Sequence, residues 1–244
     1  MAVEKIAFIT GGNKGIGLET ARQLGKLGID VVIGSRDAEK GRAAAQKLQA
    51  EGIHADAIQF DVTRQADYQA VYDYFNQRYG RLDILVNNAG ISRESFGPNT
   101  TSTISPEDLQ ATFDTNFFGV IQLTQTLLPL IRKSAAGRIV NLSSILGSLT
   151  LHATPGSPIY EAKSFAYNAS KAALNSFTIH LAHDLRDTPI KVNSAHPGWV
   201  KTDMGTEAAP MEIPDGAKTS VRLATLPADG PTGGYFHMGD TLPW

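Results

Sequence analysis

The chain has 244 residues and no cysteine. Disulfides, thiol nucleophiles and thiolate metal sites are therefore excluded. Its 6 histidines show no metal-ligand spacing; His180 and His183 read as a solvated helix face, and no metal is expected. No apolar run is long enough to cross a bilayer, and no basic segment leads into a long apolar stretch near the N-terminus. A cytoplasmic protein without a membrane partner is expected. Neither sign of charge is in excess, with 22 Lys and Arg against 24 Asp and Glu and a formal net charge of −2. That balance gives nucleic acid no electrostatic foothold. The hydrophobic content of 42% suffices for a large core, and one domain over residues 1–244 is the expected organisation.

What is present is an alternation of short apolar runs and longer helical patterns. The runs predict strands over 7–10, 30–34, 55–59, 84–87, 138–142, 191–195 and 234–237. Apolar spacing predicts helices over 17–27, 38–51, 65–79, 106–133, 167–186 and 215–226. Strands crossed over by helices give an α/β fold, a doubly wound parallel sheet of about seven strands with helices on both faces. Ligands on such a sheet lie beyond the carboxyl ends of the strands. Thr10, Asn87, Ser144 and Pro197 all fall at those ends, so one site links them.

Two local patterns carry chemistry. The first strand runs into Thr10-Gly-Gly-Asn-Lys-Gly-Ile-Gly17 and then a helix. Gly11, Gly15 and Gly17 allow a tight turn and close backbone approach, and the helix start offers free N–H groups to a pyrophosphate. The second strand ends in Ser35-Arg36 instead of a carboxylate, which suits a ribose 2′-phosphate; Asp37 reads as the N-cap of the next helix. NADP(H) is the expected cofactor. Farther on, Tyr167 and Lys171 lie four positions apart in a helical pattern and emerge on one face. An ammonium beside a phenol favours the phenolate and draws its pKa toward a useful range.

Taken in order, Thr10-Gly-x-x-x-Gly15-x-Gly17, Asn87-Asn88-Ala89-Gly90, Asn116, Asn141-Leu142-Ser143-Ser144, Tyr167-x-x-x-Lys171 and Pro197-Gly198 resemble the short-chain dehydrogenase/reductase family. The resemblance runs from Lys5 to about Gly234. Thr10 to Gly17 and Pro197-Gly-Trp-Val-Lys-Thr-Asp-Met204 look like the monomeric carbonyl reductase branch, whose members reduce aldehydes, ketones and quinones with NADPH. The resemblance implies a Rossmann-like fold and a small-molecule carbonyl substrate. It makes Tyr167 the proton donor and lets Ser144, rather than its competitor Ser143, hydrogen-bond the carbonyl. Lys171 would bind the nicotinamide ribose and lower the Tyr167 pKa, and Asn116 would hold a relay water. Implied cofactor contacts are Gly11, Asn13, Lys14, Gly15, Ile16 and Gly17 in the first turn, with Ser35 and Arg36 at the 2′-phosphate. Asp61 and Val62 would meet the adenine, and Asn88, Ala89 and Gly90 pass along the cofactor. Tyr167, Lys171, Pro197, Gly198, Val200 and Thr202 complete the set.

Apolar residues beside these motifs predict the substrate pocket: Ile145, Tyr160, Trp199 and Met204, flanked by Ile91, Phe96 and Leu146. The stretch from Ser144 to Tyr167 is longer than in most short-chain enzymes. Its insert, Leu149 to Ser164, is expected over the pocket and against the helices that most relatives use to dimerise, which favours a monomer. Residues 201–216 read as a mobile lid. Two other readings stay open: an alcohol, sugar or hydroxysteroid dehydrogenase, and an NADP(H)-binding regulatory protein without turnover.

Overall fold

The structure, a computed structural model, describes residues 5–94 and 101–244. Phe96 lies outside the described residues. Among the described residues eight strands form one sheet: β1 (Ile6–Thr10), β2 (Asp30–Ser35), β3 (Ala55–Gln59), β4 (Ile84–Asn87), β5 (Arg138–Leu142), β6 (Lys191–Ala195), β7 (Tyr235–His237) and β8 (Asp240–Thr241). Their order is β3-β2-β1-β4-β5-β6-β7-β8, parallel throughout except that β8 folds back antiparallel on β7. The count expected from sequence was about seven. The eighth strand has two exposed residues, too few to show any alternation.

Helices cover both faces, so the central strands are buried on both sides and read as continuous apolar runs. In β1, Ile6 and Phe8 point into the core shared by Phe60, Phe75 and Leu123, beneath α3 (Gln65–Arg78) and α5 (Gly119–Ile131). Ala7 and Ile9 point into the opposite core with Leu24, Ile33 and Leu48, beneath α1 (Gly15–Lys26) and α2 (Ala38–Ala50). Strand order reverses between β1 and β4, and the crevice there is the natural ligand position.

The helix expected over 106–133 is divided. α4 (Pro106–Phe113), capped by the Ser105 hydroxyl, passes into a π-helical turn at Asp114–Phe118 before α5 continues. Gly119 is pressed against the Val62 carbonyl, leaving no room there for a Cβ. Such turns widen a helix by one residue and recur at functional sites; Asn116 stands inside this one, fully buried. After α6 (Leu149–Ala153), α7 (Phe165–Asp184) begins two residues before Tyr167. α8 (Ile213–Ala224) starts two residues earlier than its apolar spacing suggests, because Pro214 occupies its first turn.

Candidate active site

A cleft of about 760 Å³ opens above the β1–β4 crevice. Thr10 builds its floor: its hydroxyl accepts from the backbone N–H groups of Asn88 (3.0 Å) and Ala89 (2.9 Å). The Asn88 amide donates to the carbonyls of Thr10 (2.8 Å) and Gly11 (3.3 Å), fastening the glycine turn to the end of β4. Gly11 (φ +63°) and Gly15 (φ +56°) take left-handed conformations that a side chain would strain. α1 starts at Gly15 with no side-chain cap, leaving its first N–H groups free of one at the cleft.

These features fit a dinucleotide. Asn13, Lys14, Ile16, Gly17, Arg36, Asp61, Val62, Gly90, Pro197 and Thr202 line the cleft together with Gly11, Gly15, Asn88 and Ala89. Arg36 is exposed there, whereas the neighbouring carboxylate of Asp37 accepts from Glu39 N (2.9 Å) and Lys40 N (3.1 Å) as the α2 cap. No acid at the end of β2 is thus free to repel a 2′-phosphate. Ser35 corrects the expectation. It is 2% exposed, and its hydroxyl donates to the Asp37 carbonyl at 2.8 Å, so it supports the turn beneath Arg36 rather than facing the cleft. Lys14 pairs with Asp203 across the cleft mouth. Asp61 serves two geometries at once, accepting from Thr63 N (2.9 Å) and Thr63 Oγ1 (2.8 Å) while lining the cleft. Gly198 and Val200 are not among the lining residues; Val200 is buried and pairs with Met211, which folds the 199–211 segment back on itself.

At the far end of the cleft Tyr167 and Lys171 line the wall, with Ser144 beside Tyr167 but not itself among the lining residues. The Ser144 hydroxyl stands close enough to the Tyr167 phenol to lower its pKa, and it also caps the turn Ile145–Gly147, accepting from Leu146 N at 3.3 Å. Ser143 is buried and lines the cleft, with its hydroxyl near the Tyr235 phenol. The two serines, indistinguishable in the sequence by position alone, have different neighbours: Ser144 the Tyr167 phenol, Ser143 the Tyr235 phenol. Lys171 Nζ lies 5.6 Å from the Tyr167 ring centroid and donates to the Leu142 carbonyl at 2.7 Å. Burial pushes the Tyr167 phenol up to about 12, only partly opposed by Ser144. Burial also pushes Lys171 down to about 8. Desolvation, not the ammonium, thus sets the phenol in this state, opposite to the expected lowering.

Asn116 is held at both ends of its amide by the Ile91 backbone, accepting from N and donating to O at 2.8 Å each, and it donates to Ser170 Oγ at 3.1 Å. Its side chain is therefore a strut between the β4 loop and α7. A Cβ on Gly90 would stand 3.4 Å from Asn116 Oδ1 and 3.5 Å from Lys171 Nζ, so these three residues crowd one corner.

Of the residues expected to shape a substrate pocket, Met204 and Ile91 line the cleft. Ile145 is half-buried beside Ser144, Tyr160 lies under Lys163 Nζ (4.8 Å), and Trp199 is 54% exposed with its indole N–H on the Gly205 carbonyl at 2.8 Å. None of these three is among the cleft-lining residues. Three contributors went unread. Glu94 accepts from Tyr167 N at 3.0 Å at the start of α7, Tyr235 donates to the Ser144 carbonyl, and His196 accepts from Ile145 N at 3.1 Å. Each contact joins distant parts of the chain, so no local spacing could have announced it. Among the described residues no cluster of metal-ligating side chains occurs, and no helix is long and apolar enough to cross a membrane.

Comparison with known proteins follows this geometry. The human protein "Carbonyl reductase [NADPH] 1" is 36% identical over 281 aligned residues, covering 98% of this chain and 98% of its own. The salutaridine reductase structure from Papaver somniferum superposes with a TM-score of 0.84 at 30% identity, covering 96% of this chain and 99% of its own. An NADPH-bound carbonyl reductase from chicken fatty liver superposes with a TM-score of 0.85 at 26% identity and covers 99% of both. The family described as short chain dehydrogenase matches residues 5–213, and the chain belongs to that family.

Proposed function

We propose that the chain is an NADPH-dependent carbonyl reductase that converts aldehydes, ketones or quinones to alcohols. One observation carries the reading: the Tyr167 phenol stands beside Ser144 and Lys171, and the cleft that Tyr167 and Lys171 line also presents Arg36. The human relative and the chicken structure, both named with NADPH, support the cofactor. Arg36 and the start of α1 bind its phosphates.

A bound nicotinamide supplies the hydride. The chain supplies the rest. Ser144 and Tyr167 donate hydrogen bonds to the carbonyl oxygen, where negative charge grows as the carbonyl carbon is reduced. Tyr167 then yields its proton to that oxygen, and Lys171, largely cationic at neutral pH, stabilises the phenolate left behind. A phenol held near 12 by burial keeps its proton at neutral pH, as a general acid must. The oxidative direction would need the same group as a base, so the burial favours reduction. Asn116 holds the β4 loop and α7 in place around that corner.

The test is loss of reduced-cofactor absorbance, with NADPH and NADH in parallel, across aromatic aldehydes, α-diketones, quinones and β-keto esters. Turnover of several of these with NADPH in preference to NADH is expected. Tight NADPH binding with no turnover across the panel would refute the reductase.

A further inference from the structure

Directly before Pro197-Gly198 stands His196, 8% exposed, at the end of β6. Its Nδ1 accepts from two backbone N–H groups on different loops: Ile145, which follows Ser144, at 3.1 Å, and Gly198 at 3.4 Å. Because Nδ1 accepts, the ring proton sits on Nε2. The ring is held from the other side by His237 on β7, with centroids 4.8 Å apart. His237 donates from Nδ1 to the His196 carbonyl at 3.0 Å, and His196 N donates to the Phe236 carbonyl at 2.8 Å. Gly198 (φ +92°) packs against Met211 and His237 with no space for a side chain. Burial, reinforced by His237, pushes His196 down to about 3, so the ring stays neutral and its Nδ1 lone pair remains available.

We infer that His196 is a positioning residue that bolts the Ser144 loop to the Pro197–Gly198 loop through one imidazole nitrogen, fixing the carbonyl-polarising hydroxyl relative to the cofactor end of the cleft. The inference rests on the reading of Ser144 as that polariser. The β5–β6 ladder ends at Leu142 and Ala195; beyond it Ser143 N donates to the Ala195 carbonyl at 2.8 Å and Tyr235 to the Ser144 carbonyl, and His196 adds the contact that reaches both Ile145 and Gly198. A single acceptor shared by both N–H groups carries the register of the sheet outward to the site. Misplacement of a reacting group by about an ångström is enough to cost on the order of a hundredfold in rate.

The test compares His196→Ala with His196→Asn, whose Oδ1 can stand where Nδ1 stood. kcat, the NADPH dissociation constant from tryptophan fluorescence, and amide hydrogen exchange at Ile145 and Gly198 are measured for both. In His196→Ala, kcat should fall at least about tenfold while NADPH affinity stays within about threefold, and both amides should exchange faster. His196→Asn should restore protection of both amides and retain at least about a third of wild-type kcat. A His196→Ala enzyme that keeps wild-type kcat, or a His196→Asn enzyme as slow as His196→Ala with its amides protected, would overturn the bolt. Ser144→Ala separates the two readings. Full turnover in that variant refutes the role of Ser144, whereas loss of turnover there alongside wild-type kcat in His196→Ala refutes His196 alone. Should His196→Ala fail to fold, faster exchange at both amides in His196→Gln, whose amide reaches toward the Nε2 position instead, supports the bolt and unchanged exchange refutes it.

Discussion

A single phenol shows how a residue's chemistry is set by where the fold puts it. Tyr167 and Lys171 share one face of α7, as their spacing predicts, yet the ammonium donates to the Leu142 carbonyl and burial holds the phenol near 12. On the proposed mechanism, the proton is thereby kept in place until charge develops on a substrate oxygen. Replacing Tyr167 by Phe removes that proton and little packing volume. Turnover should fall by at least about a thousandfold, near the upper range for loss of a positioned acid, while NADPH affinity stays within about threefold. Stopped-flow turnover with fluorescence titration of NADPH reads both. Substantial activity in Tyr167→Phe would move the proton to another group and refute this assignment. Residue scale is also where the sequence was least legible. Ser35 and Arg36 are neighbours of equal promise at a strand end, and only the direction of the Ser35 hydroxyl, toward the Asp37 carbonyl, separates them.

At the scale of elements, most of the sheet could be read directly. β4, β5 and β6 fall on the predicted runs because each is packed on both faces, and β3 falls on its run although it is a half-buried edge strand. α6, β8 and the π-helical turn left no such trace: the first two are too short for periodicity, and the third is forced by Gly119 against Val62. The start of α1 was misread by two residues because Gly15 and Gly17 look like turn residues, whereas Gly17 is inside the helix. Its reason is spatial. A Cβ on Gly17 would stand 2.5 Å from Asn88 Nδ2 and 2.6 Å from the Gly11 carbonyl. Alanine at an ordinary helical glycine stabilises by about 1 kcal/mol. Here it must displace the Asn88 amide from Thr10 and Gly11, and the overpacking should cost about 1–3 kcal/mol net. Gly17→Ala should therefore lower the urea midpoint and weaken NADPH binding by roughly tenfold, as expected for about 1.4 kcal/mol lost at the phosphate turn. A midpoint raised or unchanged, with NADPH affinity intact, would show that α1 tolerates the methyl and that the Asn88 clamp is dispensable.

For the whole molecule, the buried titratable groups set how stability follows pH. Each exchanges protons differently in the folded and unfolded chain, and the side holding more protons loses as pH rises. His196 is about 3 when folded, against an ordinary 6.5, chiefly through burial. Between those values the unfolded chain holds the extra proton, so stability falls as pH drops below 6.5; burial of His152 acts in the same direction. Lys171 is about 8 when folded, against 10.5. Across that window the unfolded chain again holds the extra proton, so stability rises with pH. Tyr167 reverses the sign. Between 10 and about 12 the folded chain keeps the proton, and stability falls as pH climbs; Tyr74 and Tyr235, raised mainly by burial, add to the fall. Exposed ion pairs such as Lys14–Asp203 shift this profile little. The cofactor-free chain should thus be most stable at about pH 9 to 10, with each buried group contributing a slope of up to about 1.4 kcal/mol per pH unit inside its window. Urea unfolding from about pH 4 to about pH 11 measures the curve. Lys171→Met should flatten the rise above about pH 8, and His196→Asn should flatten the acid limb. A steady decline from neutral pH to about pH 10 in the wild-type chain, or an undiminished rise in Lys171→Met, would mean that Lys171 is not desolvated as its place against the Leu142 carbonyl requires.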